Sequence, residues 1–197
     1  NSGGIAATYA YPTKITDPRG AVTDITYNVL GSTTQIAYTP VSGLPDTPTV
    51  NFGYDDLGNR VSMDTAGVSE VAYAYDPLSR MTSETVNFDD LANNLTIGYT
   101  YGLTGLKSIT DPSGKEIEYA KDRAGRLTAV TGDAFGQNTT GTYASGIEYR
   151  AFGQVKQMDY NLSNGNSRIK LNYDNRLRAD HSEAPQAGST TGLGLKA

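Results

Sequence analysis

One short motif returns along nearly the whole chain, and it constrains the fold more tightly than any other feature. It runs apolar residue, spacer, aromatic, spacer, Tyr, two or three turn residues, Gly, and often Arg with an aliphatic behind it. Full copies carry Tyr54-Asp55 through Gly58 and Arg60, Tyr75-Asp76 through Arg80, and Tyr101 through Gly105. Weaker copies carry Tyr27 with Gly31, Asp122 with Gly125 and Arg126, and Tyr149 with Gly153, and a shortened one carries Tyr173-Asp174. Seven spaced copies of one unit mean a repeat architecture, in which each unit packs on its neighbours instead of closing a core of its own.

The local physics of each position describes a β-hairpin. Val71, Tyr73 and Tyr75 alternate with Ala72 and Ala74, so they share one face of a strand. Asp followed three residues later by Gly closes the turn. The carboxylate accepts from the backbone ahead of it, and Gly takes the left-handed conformation. Asp17 with Gly20, Asp64 with Gly67 and Asp111 with Gly114 fit the same turn and stand 47 residues apart, with Asp159 following at 48. The unit is therefore a pair of hairpins. Arg60, Arg80 and Arg126 stand just past the turn, in position to reach back to the turn Asp. The expected fold is all-β, a strip of about seven antiparallel hairpins with a 47-residue double-hairpin period, spanning residues 1–178 as one domain. The turns at the tyrosine end are short, whereas the opposite end alternates tight turns with longer loops near 38–49, 85–95 and 133–146. Residues 179–197 show no periodicity and read as a linker or docking tail.

Composition narrows the function. Cysteine is absent and His181 is the one histidine, which removes disulfides, thiolate metal sites and Cys nucleophiles. With 16 Lys plus Arg against 21 Asp plus Glu, the net charge of −5 gives no surplus for nucleic acid. No apolar run reaches the ~18 residues that a membrane helix needs. The start at Asn1, with no initiator Met and no leader pattern, reads as a piece of something longer. Fourteen Tyr and 22 Gly suit pleated strands and tight turns.

The Tyr-Asp-x-x-Gly-Arg pattern resembles the RHS or YD repeat. Its clearest copies are Tyr54-Asp55 to Val61, Tyr75-Asp76 to Met81 and Lys121-Asp122 to Leu127, and the likeness covers roughly residues 5–178. The family includes bacterial wall-associated and toxin-complex shell proteins and the teneurin receptors. Its fold, as the resemblance implies, is a long strip of hairpins spiralling into a hollow shell, with structural repeats and, in some members, carbohydrate binding. This chain is too short to close such a shell and lacks the family's autocleavage signature.

Candidate chemistry reads as structure. Asp64-Thr65-Ala66-Gly67 is similar to the loop of aspartic proteases, but it falls in the register of Asp17 and Asp111 and has no second carboxylate motif. Asp159 to Gly165 hints at a calcium loop, yet Lys170 stands where a bidentate Glu belongs. The tyrosines suit a cross-strand aromatic ladder or, as an alternative, a platform for sugars. The reading is of a non-enzymatic extracellular or cell-surface structural protein with no catalytic residue, metal or cofactor. It joins copies of itself head to tail by strand addition, or flanking repeats of one longer chain. The alternative is an adhesin that binds surface glycans. Neither nucleic acid nor a membrane span is expected.

Overall fold

A computed structural model describes residues 11–133, 140–162, 165–184 and 193–196. The chain divides into two compact units, Asn1–Thr96 and Ile97–Ala197, where the sequence reading has one continuous array. Each unit is built of antiparallel strands in chain order, and there is no helix among the described residues.

The first unit holds β1 (Lys14–Thr16), β2 (Val22–Tyr27), β3 (Thr33–Thr39), β4 (Val50–Tyr54), β5 (Arg60–Thr65), β6 (Ser69–Tyr75) and β7 (Met81–Phe88). β8 (Leu95–Gly102) starts just before the second unit. β9 (Gly105–Thr110), β10 (Glu116–Lys121), β11 (Leu127–Asp133), β12 (Thr140–Tyr149), β13 (Val155–Leu162), β14 (Gly165–Tyr173), β15 (Ala179–Ala184) and β16 (Leu193–Lys196) follow. Within each unit every strand pairs with the next. The expected hairpin strip is therefore what the chain forms, with seven hairpins at the tyrosine end. The segment read as a linker or docking tail supplies β15, which pairs with β14, and β16, which pairs with β15; residues 185–192 lie outside the described ones.

All seven hairpins carry the same irregularity. The last residue before the turn faces the first residue after it: Tyr27 faces Thr33, Tyr54 faces Arg60, Tyr75 faces Met81, and Tyr173 faces Ala179. The register then skips one residue. Tyr101, Lys121 and Tyr149 show the same skip opposite Leu106, Leu127 and Val155, and beyond Tyr101 one further pair, Gly102 with Gly105, closes the ladder. A bulge at a fixed place in each unit adds the same local twist every time.

The core is thin. Among the described residues only Val71 and Ile147 are fully buried apolar side chains, at 5% and 9% exposure, and Ser108 is fully enclosed, with its hydroxyl against Thr100. β6 shows the pattern: Val71 is buried, Tyr73 and Tyr75 are half-buried, and Glu70, Ala72 and Ala74 between them are exposed. A layer this thin stabilises weakly through hydrophobic burial. The ladder hydrogen bonds and side-chain-to-backbone ties must hold much of the fold.

Candidate functional site

The candidate site is the turn at the tyrosine end of each hairpin. Asp55 shows its construction. The Asp55 amide donates to the Asn59 carbonyl at 2.9 Å, and the Gly58 amide donates to the Asp55 carbonyl at 3.0 Å. One carboxylate oxygen of Asp55 then accepts from the Leu57 amide at 3.0 Å and the Asn59 amide at 2.8 Å. Two backbone donors that a sharp turn leaves over are thereby satisfied. Asp76, Asp122 and Asp174 repeat this, as do Asp17 and Asp111 at the other end. The predicted glycines Gly20, Gly31, Gly58, Gly105, Gly114, Gly125 and Gly153 all have positive φ. Asn28 caps in the same way, with its amide oxygen accepting from Leu30 and Ser32, which the motif reading missed.

Asp64 departs from the expected turn role. It lies inside β5 opposite Glu70 and accepts a 3.3 Å hydrogen bond from Asn51. The turn begins one residue later, where the Val68 amide donates to the Thr65 carbonyl and Gly67 stands third with φ 69°. That is the place where a type II turn needs positive φ, so the position of Gly fixed the turn and the 47-residue period of Asp did not.

The arginine positions divide by spacing. Arg80 and Arg126, each four residues after the turn Asp, close ion pairs of 2.7 Å with Asp76 and Asp122. Arg178 does the same with Asp174. Arg60 stands five residues after Asp55, so it projects elsewhere. Its guanidinium lies 4.9 Å from the Tyr73 ring centroid and donates to the Tyr73 hydroxyl, while Asn59 takes the Asp55 carboxylate.

The tyrosine does something that no pattern announces. Tyr75 donates its hydroxyl at 2.8 Å to the carbonyl of Arg60, which is the first residue after the preceding turn. Tyr54 reaches the Thr33 carbonyl, Tyr149 that of Leu127 and Tyr173 that of Val155, each at 2.8 Å. Where Lys121 replaces the tyrosine, its ammonium donates to the Leu106 and Thr104 carbonyls at 2.8 and 3.1 Å. Within each unit, these five hairpins are thus latched to the one before. The expected stacked ladder is sparse: among the described residues the ring pairs are Tyr11 on Tyr27 and Phe152 edge-on to Tyr173. Removing the Tyr75 hydroxyl (Tyr75→Phe) leaves the Arg60 carbonyl without its partner. We expect about 1 kcal/mol less stability in urea unfolding, the usual net worth of such a bond.

The electrostatics follow the geometry. Asp17, Asp55, Asp76, Asp111, Asp122 and Asp174 all have pKa values held below the ordinary carboxylate range. The first cause at Asp55 is the Asn59 amide, at Asp76 the Arg80 guanidinium, and at Asp111 the Ser113 hydroxyl. At Asp17, Asp122 and Asp174 it is the backbone amide of Ala21, Arg126 and Arg178. Burial pushes the Tyr75 phenol the other way. Ser79 and Leu177 hold the turn's left-handed position without being glycine, at φ 58° and 60°. Leu177→Gly relieves that strain, and thermal melting should show a gain of roughly 0.5–1 kcal/mol.

Among the described residues the sequence's other candidates take structural places. Asp159 accepts from two Arg168 nitrogens at 2.6 and 2.9 Å, which holds its pKa below the ordinary carboxylate value and makes it an ion-pair partner. His181 lies in β15 against Asn172 and Asp180. Among the described residues no group of three or more His, Asp or Glu could hold a metal ion.

The family profile of the teneurin YD-shell matches residues 12–132, more than half of the sequence. The chain belongs to that family. Its fold is similar to crystal structures of TcdB2-TccC3, at TM-score 0.78 and 18% identity, and of TcdB2-TccC3 without its hypervariable C-terminal region, at TM-score 0.79 and 16% identity. Both likenesses cover 94% of this chain and 10% of the other. This YD-shell chain thus spans about a tenth of the length of the chains it matches. No curated protein matches it. The latching tyrosine and the capping aspartate are the Tyr and Asp of the repeat, so the repeat's two named residues are its two main-chain ties.

Proposed function

We propose that this YD-shell chain is a length of structural wall outside the cell, without catalysis of its own, and that its turn edges pack against further repeats of the same kind. The observation that carries the reading is a row of exposed leucines. In the first unit Leu30, Leu57 and Leu78 each stand two residues after a capping Asn or Asp, and each is 73% exposed. Capping aims the amide inward, so the side chain at that position points outward. The opposite edge of the same strands exposes Leu44, Val68 and Leu91. Repeated apolar residues in solvent mark a contact surface, and an apolar row on each of two opposite edges suits one strip lying along another.

The test is sedimentation of the chain and of a Leu30→Ser/Leu57→Ser/Leu78→Ser variant with the same circular dichroism. Wall packing predicts concentration-dependent association of the parent chain, weakened at least tenfold in the variant. Association untouched by the three serines would leave strand addition at the sheet's outer strands as the joining mode. A chain that stays monomeric at every concentration would overturn both modes.

A further inference from the structure

Two tyrosine-end turns have no capping Asp or Asn: Gly102 stands there in one, and a cation in the other. Arg150 occupies the place of the capping Asp, although the turn's main-chain bonds are the same: the Arg150 amide to the Gln154 carbonyl at 2.8 Å, and the Gly153 amide to the Arg150 carbonyl at 2.9 Å. Nothing in the turn calls for arginine there, because a cation cannot accept from the amides that a carboxylate would cap. Its side chain swings away from the turn. One terminal nitrogen donates to the Leu171 carbonyl at 3.1 Å, the guanidinium carbon lies 5.7 Å from the Tyr173 ring centroid, and Nε is enclosed with no hydrogen-bond partner.

Beside it lies a hollow of about 340 Å³, lined by Arg150, Lys156, Gln157, Lys170, Leu171 and Asn172. That volume falls in the range of small-ligand pockets. Three cations meet in it, in a chain whose net charge is −5. Two carboxylates stand near. Glu148 pairs with Lys156 at 2.8 Å, and Glu183, which faces Lys170 in the strand register, hydrogen bonds to Asn172. Among the described residues neither Arg150 nor Lys170 makes an ion pair. A planar guanidinium held by a carbonyl and a ring, with two lysines lining the same hollow, matches a carboxylate, and the Gln157 and Asn172 amides match neutral oxygen and nitrogen groups around it.

We propose that this hollow is a binding site for a carboxylate carried on a small polar ligand or side chain. Guanidinium and ammonium fix the carboxylate, and the amides choose what carries it. Two sources present that chemistry, an acidic peptide and a sugar acid. The experiment is titration of the labelled chain, followed by NMR, with glucuronate and separately with a glutamate-rich hexapeptide. The parent chain should show saturable shifts at residues 150–157 and 170–172 with one of the two probes. Arg150→Lys keeps the charge and loses the fork, and should weaken binding at least fivefold. Lys156→Gln with Lys170→Gln should weaken it at least tenfold, with unchanged circular dichroism. Glucuronate alone binding assigns the site to a sugar acid, and the peptide alone assigns it to a protein side chain. Shifts from neither probe at ~10 mM, or binding that survives the lysine substitutions, would overturn the proposal.

Discussion

Alanine at Gly132 should cost the second unit about 3 kcal/mol, at the upper end of the usual penalty for overpacking. A β-carbon there stands 2.6 Å from the Glu116 carbonyl oxygen, 3.1 Å from the Ile117 α-carbon and 3.0 Å from Cε2 of Tyr143. Two of these three obstacles are backbone of the paired strand β10, so no rotamer change clears them. Tyr143 is itself tied, donating its hydroxyl to the Asp133 carbonyl at 2.7 Å. The two strands must separate or the ring must leave. Gly98 provides the control. A β-carbon there meets nothing nearer than the Thr110 β-carbon at 3.6 Å, an ordinary contact. Gly98→Ala should be neutral or gain up to about 1 kcal/mol by restricting the unfolded chain. Unfolding free energies of the two variants, from urea titration, within about half a kcal/mol of each other would refute the account.

Acid should unfold the chain through its turns. Eight carboxylates titrate below their ordinary values: the six turn aspartates, Asp159 beside Arg168, and Glu148 beside Lys156. A carboxylate whose acidity is stronger in the folded state contributes stability above its unfolded value. That contribution fades as pH falls through the folded one. For aspartates with an ordinary value of 3.8, the loss therefore lies below about pH 4. It should be steep because many groups take up protons together on unfolding. Replacing Asp76, Asp122 and Asp174 by Asn separates the two parts of the effect. Asn28 shows that an amide oxygen caps the turn, so the backbone ties survive while the Arg80, Arg126 and Arg178 pairs are lost. The triple variant should be less stable at pH 7 and show a shallower decline between pH 4 and 2, with the two curves converging at the acid end. Parallel curves would show that the turn carboxylates do not carry the acid response.

The hairpins were legible because their determinants are local. Alternation in β6, the Asp55 cap and the left-handed Gly58 all act within a few residues, and short-range chemistry leaves a short-range pattern. Arg60 misled for the same reason. Four and five residues after the turn Asp look alike in a motif, yet one residue in a strand moves a side chain to the opposite face. The tyrosine latch was invisible because its acceptor is a backbone carbonyl about 15 to 22 residues away, and a carbonyl has no residue type. Gly132 gave no signal, since nothing in the chain order says that Glu116 and Tyr143 converge on it. Residues 179–184 lack alternation, yet they pair with β14, because an available strand edge can order a segment with little apolar content of its own. Arg150 was passed over because the motif was read for the residues it contains, whereas the informative feature was the aspartate it lacks.

The tyrosine latch also has a direction. In every pair the hydroxyl belongs to the later hairpin and the carbonyl to the earlier one. During synthesis, each new hairpin leaving the ribosome meets an acceptor that already exists, so the sheet can grow one hairpin at a time behind the polymerising end and need not wait for sequence still to be made. Cutting whole hairpins from the two ends is correspondingly unequal. Loss from the carboxyl end frees a carbonyl that water can solvate. Loss from the amino end strands a half-buried tyrosine hydroxyl and bares the ring beside it. A chain of this kind tolerates being stopped early better than being started late.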